Sequence, residues 1–242
     1  MRAVHAPSSP VFRVATIRGG GPDEVYDPPP WNTSFRGRFD DPRINDPQRT
    51  FPKEECYRVL YFATERAGAF GEILQKHIPN PQDLQVIFSN LPPHHPLRLG
   101  GQVKQAELAR RQVGTTRLDP TLQFADVMAP ESRMELYYTP AITPLVEQLH
   151  LNFLDVSAIT GDTNEHRQLT QAIALHIYNL TDKQGTPLFD GIRYASHVNA
   201  EWECWAVFHD RLRHAPVSTV PVDPADPELH RALSAIKVRI VP

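Results

Sequence analysis

The stretch "YRVLYFATERAGAFGE", Tyr57 to Glu72, decides how this chain is read. Its first half belongs to "CYRVLYFA" (56–63), an apolar run short enough for a buried strand. Its second half opens "TERAGAFGEILQKHI" (64–78), which predicts a helix with Thr64 as N-cap. At about 100° per residue, Ala67, Phe70 and Leu74 form one stripe with Ile78 near it, and Glu72 lies roughly opposite Phe70. A carboxylate on that polar face is ordinarily a solvated surface group. Two neighbours complicate that reading. Gly68 sits one turn before Glu72 and Gly71 is adjacent to it, although glycine costs about 1 kcal/mol against Ala inside a helix. They either leave room for something beside the carboxylate or permit close helix packing.

Outward from this stretch, the pattern mixes strands and helices. "VFRVAT" (11–16), "LQVIFSN" (84–90), "TLQFADVM" (121–128), "GIRYASH" (191–197), "CWAVFHD" (204–210) and "APVSTVPV" (215–222) read as strands. "NEHRQLTQAIALHIYNL" (164–180) is the best helix, with Leu169, Ile173, Ile177 and Leu180 on one face. "MELYYTPAITPLVEQLHL" (134–151) is a helix broken at Pro140 and Pro144, and "DPELHRALSAI" (226–236) is a last short helix. Residues 17–52 form a long Gly/Pro/Asp loop, of a length usually tied to function or disorder. Residues 91–115 are ambiguous, with a short helix over "QAELARRQ". There is no repeat, no dividing linker and no regular βαβ alternation. The expectation is a single α+β domain over 1–242, a mixed sheet with flanking helices, its motif-bearing core at about 11–210 and a C-terminal strand and helix in 211–242.

Composition narrows the classes. The 242 residues are 40% hydrophobic and 22% charged, ordinary for a globular protein, and the net charge of −3 argues against a general nucleic-acid binder. Cys56 and Cys204 form no CxxC, and the N-terminal "MRAVHAPSSPVFRV" lacks the apolar core of a signal peptide. Together they predict a reducing, cytoplasmic setting, with one Cys56–Cys204 bridge as the alternative. No apolar run approaches the 18 residues of a membrane span. Nothing suggests a metal: His94 and His95 are adjacent in a Pro-rich loop, "EHRQ" (165–168) is not HExxH, and no Cys cluster exists. "GGG" at 19–21 is neither a Walker loop nor GxGxxG, and no GxSxG elbow occurs.

Three stretches in order carry a resemblance: "GRFDDP" (37–42), "YRVLYFATERAGAFGE" (57–72) and "DGIRYASHVN" (190–199). Together they resemble the RES domain family, named for an Arg, a Glu and a Ser that match Arg38, Glu72 and Ser196 here. Tyr61, eleven residues before Glu72, matches a strand tyrosine of the pattern, and "CWAVF" (204–208) is similar to the family's last apolar strand. The likeness runs from Arg13 to about Phe208. Residues 79–130 match no motif, and His197 stands where many relatives carry Arg.

The resemblance implies a fold similar to ADP-ribosyltransferases around an NAD cleft. It implies a bacterial toxin that releases nicotinamide from NAD by hydrolysis, or by phosphorolysis with inorganic phosphate as co-substrate. NAD is then substrate, and no bound cofactor or metal is expected. The expected partner is a helix-turn-helix antitoxin that masks the cleft, with neither nucleic acid nor membrane as a direct partner and, by analogy alone, a homodimer. Glu72 would stabilise the positive charge that develops on the ribose. Arg38 would bind the pyrophosphate or position the nicotinamide side. Tyr61 would stack on nicotinamide or bond the ribose, and Ser196 would bond the carboxamide or a ribose hydroxyl. Arg13, Phe39, Tyr194 and Asn199 are the further substrate-binding candidates, with Arg36 as a second reserve arginine. Arg13 lies mid-strand, where an inward guanidinium needs an anionic partner or a ligand. Two rivals keep the same residues in view: an ADP-ribosyltransferase acting on a macromolecule, and an inert NAD-fold interaction module.

Overall fold

The computed structural model describes residues 1–19, 21–28, 37–45, 52–78, 101–161 and 163–242. The elements in chain order are β1 (Ala3–His5), β2 (Val11–Thr16), β3 (Val59–Ala63), α1 (Arg66–Leu74), β4 (Gly101–Lys104), α2 (Gln105–Leu108), β5 (Arg111–Leu118) and β6 (Gln123–Asp126). There follow α3 (Pro130–Tyr137), α4 (Thr143–Gln148), α5 (Val156–Thr160), α6 (Asn164–Asn179), β7 (Gly191–Ala195), β8 (Glu203–Phe208), β9 (His214–Pro221), α7 (Pro227–Ile236) and β10 (Val238–Val241). Eight strands form one sheet in the order β1-β6-β7-β8-β3-β2-β5-β9, and β10 pairs with β4 in a second, two-stranded sheet. The β6–β7 and β10–β4 pairs are parallel; the other paired neighbours are antiparallel. The class is α+β, a mixed sheet with flanking helices.

Strand alternation sorts the core into two layers. Val59, Ala63, Ile192, Tyr194, Cys204, Ala206 and Phe208 belong to the larger cluster, and Tyr61 packs against it. Leu60, Phe62, Phe124, Trp205 and Val207 belong to a second cluster on the opposite face, under Val25 and Tyr26. The helices cover the first face. Leu169, Ile173 and Ile177 of α6 are fully buried there, and Leu180 packs at the rim. Burying such side chains contributes roughly 1.5–3 kcal/mol each, which fixes the helix against the sheet. Thr163 caps α6 through the amide of His166, and Asp226 caps α7 through that of Glu228.

Several boundaries differ from the sequence reading for local reasons. The first helix is shorter than 64–78: α1 ends at Leu74 and continues as a 3₁₀ turn, Gln75–His77. Its N-cap position is Glu65, without a side-chain cap, because Thr64 is used elsewhere; its amide and hydroxyl both donate to the Glu203 carbonyl at the start of β8. The helix over 105–112 stops at Leu108, and Arg111 begins β5, which pairs on both sides with β2 and β9. The 134–151 helix is two, α3 and α4, with Pro144 in the first turn of the second, where a missing N–H costs nothing. The strand expected at 84–90 lies outside the described residues.

The glycines of α1 serve packing. A Cβ on Gly71 would run into the Trp202 ring, and one on Gly68 would crowd Ala63 and Trp202. Trp202 is 1% exposed and sits in the turn between β7 and β8, so the two glycines let α1 lie directly on it. From its other side α1 meets α7, with an ion pair from Arg66 to Asp226 at 2.7 Å.

Candidate active site

The sheet opens between β2 and β3. The two strands share the pair Phe12–Ala63, after which β2 follows β5 and β3 follows β8. Residues 13–16 of β2 and Val59, Tyr61 and Phe62 of β3 then flank a cleft of about 640 Å³. Strand separation leaves backbone polar groups needing partners. Arg13 supplies one: its Nη1 donates to the Tyr61 carbonyl at 3.3 Å, and its Nε to the Val25 carbonyl at 2.7 Å. Burial draws the Arg13 guanidinium down to about 10, opposed by the electrostatic pull of the Tyr61 oxygen and of Asp40, so it stays protonated at neutral pH.

Glu72 stands in the cleft wall and is held at both oxygens. Ser196 Oγ donates to Oε1 at 2.6 Å and Tyr194 OH donates to Oε2 at 3.2 Å. Alternation explains the convergence: Tyr194 faces the helices from β7, and Ser196, two residues on, shares that direction. Burial and the Glu72 charge push the Tyr194 hydroxyl well above its ordinary pKa, so it remains a donor. Charge-assisted bonds of this kind fix a carboxylate's direction. Ser196 is 2% exposed and, among the described residues, is not part of the cleft wall; it reaches the cleft through Glu72.

Gly37, Arg38 and Asp40 form another wall. Arg38 Nη1 donates to the carbonyls of Ile159 at 2.9 Å and Gly161 at 2.7 Å, which ties it to the end of α5. Tyr61 OH donates to Asp40 Oδ1 at 2.9 Å and accepts the Phe39 amide at 3.0 Å. Burial and the nearby Asp40 charge hold the Tyr61 hydroxyl well above its ordinary pKa.

The structure therefore brings Arg13, Arg38, Tyr61, Glu72 and Tyr194 to one cleft. Phe39 and Asn199 are placed apart from it. Phe39 is 0% exposed and meets Tyr194 edge-on at 4.9 Å, so it buttresses a residue that grips Glu72. Asn199 accepts the Glu201 amide within the β7–β8 turn. Arg36 lies outside the described residues, as do His94 and His95. Asp40 and Arg167 also line the cleft. Asp40 was readable beside Arg38 in "GRFDDP"; Arg167, in the first turn of α6, looks like a surface arginine in any sequence pattern. Among the described residues no group of three His, Cys, Asp or Glu side chains is arranged to hold a metal, and no helix is long and apolar enough to cross a membrane.

The family model of the RES domain matches residues 10–231. A comparison with curated proteins gives no match. Among solved structures, the chain is similar to a chain in the crystal structure of the M. tuberculosis MbcT–MbcA toxin–antitoxin complex, with a TM-score of 0.48 and 10% identity over 96% of this chain and 92% of that one.

Proposed function

Since this chain belongs to the RES domain family, we propose that its cleft binds NAD and cleaves the nicotinamide–ribose bond. One observation carries the reading: a carboxylate, Glu72, held at both oxygens in the wall of a cleft that also presents Arg13, Arg38 and Arg167. When the C1′–N bond breaks, its electron pair goes to the pyridine nitrogen, and neutral nicotinamide leaves without needing a proton. Positive charge is left on the ribose, where a fixed carboxylate stabilises it or bonds a ribose hydroxyl. An oxygen of water or phosphate then bonds C1′, and water would shed its proton to solvent. The arginines supply planar donors suited to a pyrophosphate. Ser196 and Tyr194 act through Glu72 by aiming it.

We infer further that the protein is a growth-inhibiting toxin acting in the cytoplasm, with a helix-turn-helix antitoxin covering the cleft; both rest on the family. Incubating the purified protein with NAD, with and without inorganic phosphate, and reading the products by mass tests the chemistry. Free ADP-ribose indicates hydrolysis, and a phosphorylated ADP-ribose formed only with phosphate indicates phosphorolysis. Nicotinamide released only when a macromolecule is added would replace both with ADP-ribosyl transfer.

A further inference from the structure

The two aspartates of "GRFDDP" have different surroundings. Asp41 is used locally: it pairs with Arg43 at 2.7 Å and accepts the Tyr57 amide at 3.1 Å. Asp40 joins separate parts of the cleft. It is 6% exposed, accepts the Gly37 amide at 2.6 Å and the Tyr61 hydroxyl at 2.9 Å, and lies within electrostatic reach of Arg13 and Arg167. The Tyr61 oxygen in turn accepts the Phe39 amide at 3.0 Å, so the residues on both sides of Arg38 are tied into one ring. Gln171 of α6 adds a bond from outside, donating to the Gly37 carbonyl at 3.0 Å. The ring has no slack: a Cβ on Gly37 would strike both the Tyr61 hydroxyl and the Asp40 carboxylate. Burial raises the Asp40 pKa against the pull of the Gly37 and Tyr61 bonds and of Arg13. A carboxyl kept in so costly a place, beside an arginine of the cleft, calls for a role.

We propose that Asp40 is a positioning residue, fixing the Gly37–Phe39 backbone and so aiming the Arg38 guanidinium at the phosphate groups of the substrate. The inference rests on reading the cleft as an NAD site. Arg38 would act by binding, so losing its aim should appear in KM. Asp40→Ala is expected to raise KM for NAD about tenfold or more, with kcat changed by less than about threefold. Asp40→Asn keeps one oxygen for Tyr61 but none for the Gly37 amide, and should fall between Ala and wild type. Hydrogen exchange at the Gly37 and Phe39 amides should quicken in both variants. A carboxyl that merely filled space would instead lower the active fraction, reducing kcat at constant KM. Unchanged KM in both variants, or unchanged exchange at both amides, would overturn the proposal. If Asp40→Ala does not fold, Asp40→Asn decides by the same two readings. If the wild type releases no nicotinamide, the NAD reading fails separately. The exchange measurement then decides alone: faster exchange upholds Asp40 as the post of the Arg38 loop, and unchanged exchange removes it.

Discussion

At the scale of single residues, the cleft depends on how Glu72 is held. A helical glutamate on a polar face is a surface group in most proteins, and periodicity alone placed Glu72 there. What distinguishes it is the pair of hydroxyls from β7 and the segment after it, at 3.2 and 2.6 Å. Glu72→Gln keeps the shape and removes the charge. It should lower kcat by about 10²–10³-fold, the scale for losing a preorganised charge partner, and leave the thermal midpoint nearly unchanged. Ser196→Ala removes the shorter bond and should lower kcat about tenfold, with Tyr194→Phe costing less; steady-state kinetics on matched preparations reads the order. Equal effects of the two would mean that the shorter bond contributes no more to the grip than the longer one. The resemblance to the RES family points to Arg38 and Glu72 as site residues. The grip on Glu72 was not legible, because it joins residues more than 120 positions apart across a fold.

At the scale of elements, α1 is the part that must not move. Its glycines rest on Trp202, α7 packs on its other side, and its end is pinned by charge. Gly→Ala inside a helix ordinarily gains stability. Here Gly71→Ala should cost about 1–3 kcal/mol, because the added methyl meets a buried indole; chemical denaturation gives the sign directly. The pin is Glu107 in α2, which bonds Lys76, His77 and Arg111 at 2.8, 3.2 and 2.6 Å. Burial would raise its carboxyl, but those bonds outweigh it and hold the pKa down to about 2, from an ordinary 4.5. A depressed carboxylate stabilises the fold above its unfolded pKa and loses that contribution as pH falls through the folded value. Stability should therefore decline between pH 4.5 and 2, and Glu107→Gln should flatten that part of the profile in denaturation midpoints.

α6 and α7 were legible because each carries a clear apolar face, and β3 because it is a short apolar run, buried on both sides. Others were not. β1 has three residues and α5 five, too few to show a period. β5, "RQVGTTRL", reads polar although only Arg117 is exposed, because Arg111 and Thr116 are buried polar residues and its ladder comes from β2 and β9. The division of the sheet between β2 and β3 was not legible at all, since no local pattern says which strands part.

At the scale of the whole molecule, the C-terminal elements bear on the site without touching it. Asp226 caps α7 and pairs with Arg66 at the start of α1, and β10 runs parallel to β4. Asp226→Ala removes cap and pair together and should destabilise the protein by about 1–2 kcal/mol. If the loss appears in a single transition shared by activity and circular dichroism, the C-terminal elements and the cleft form one cooperative unit. The α+β class followed from the mix of elements along the chain, but the cleft is a property of sheet order, in which β3 and β8 sit between segments distant in sequence.

The most direct test of the central claim is nicotinamide release from NAD by wild type and Glu72→Gln, prepared side by side and matched in thermal midpoint. Steady release by the wild type and a loss of at least about 10²-fold in the folded variant are expected. Equal rates in the two proteins, or no release by the wild type with or without phosphate, would contradict it.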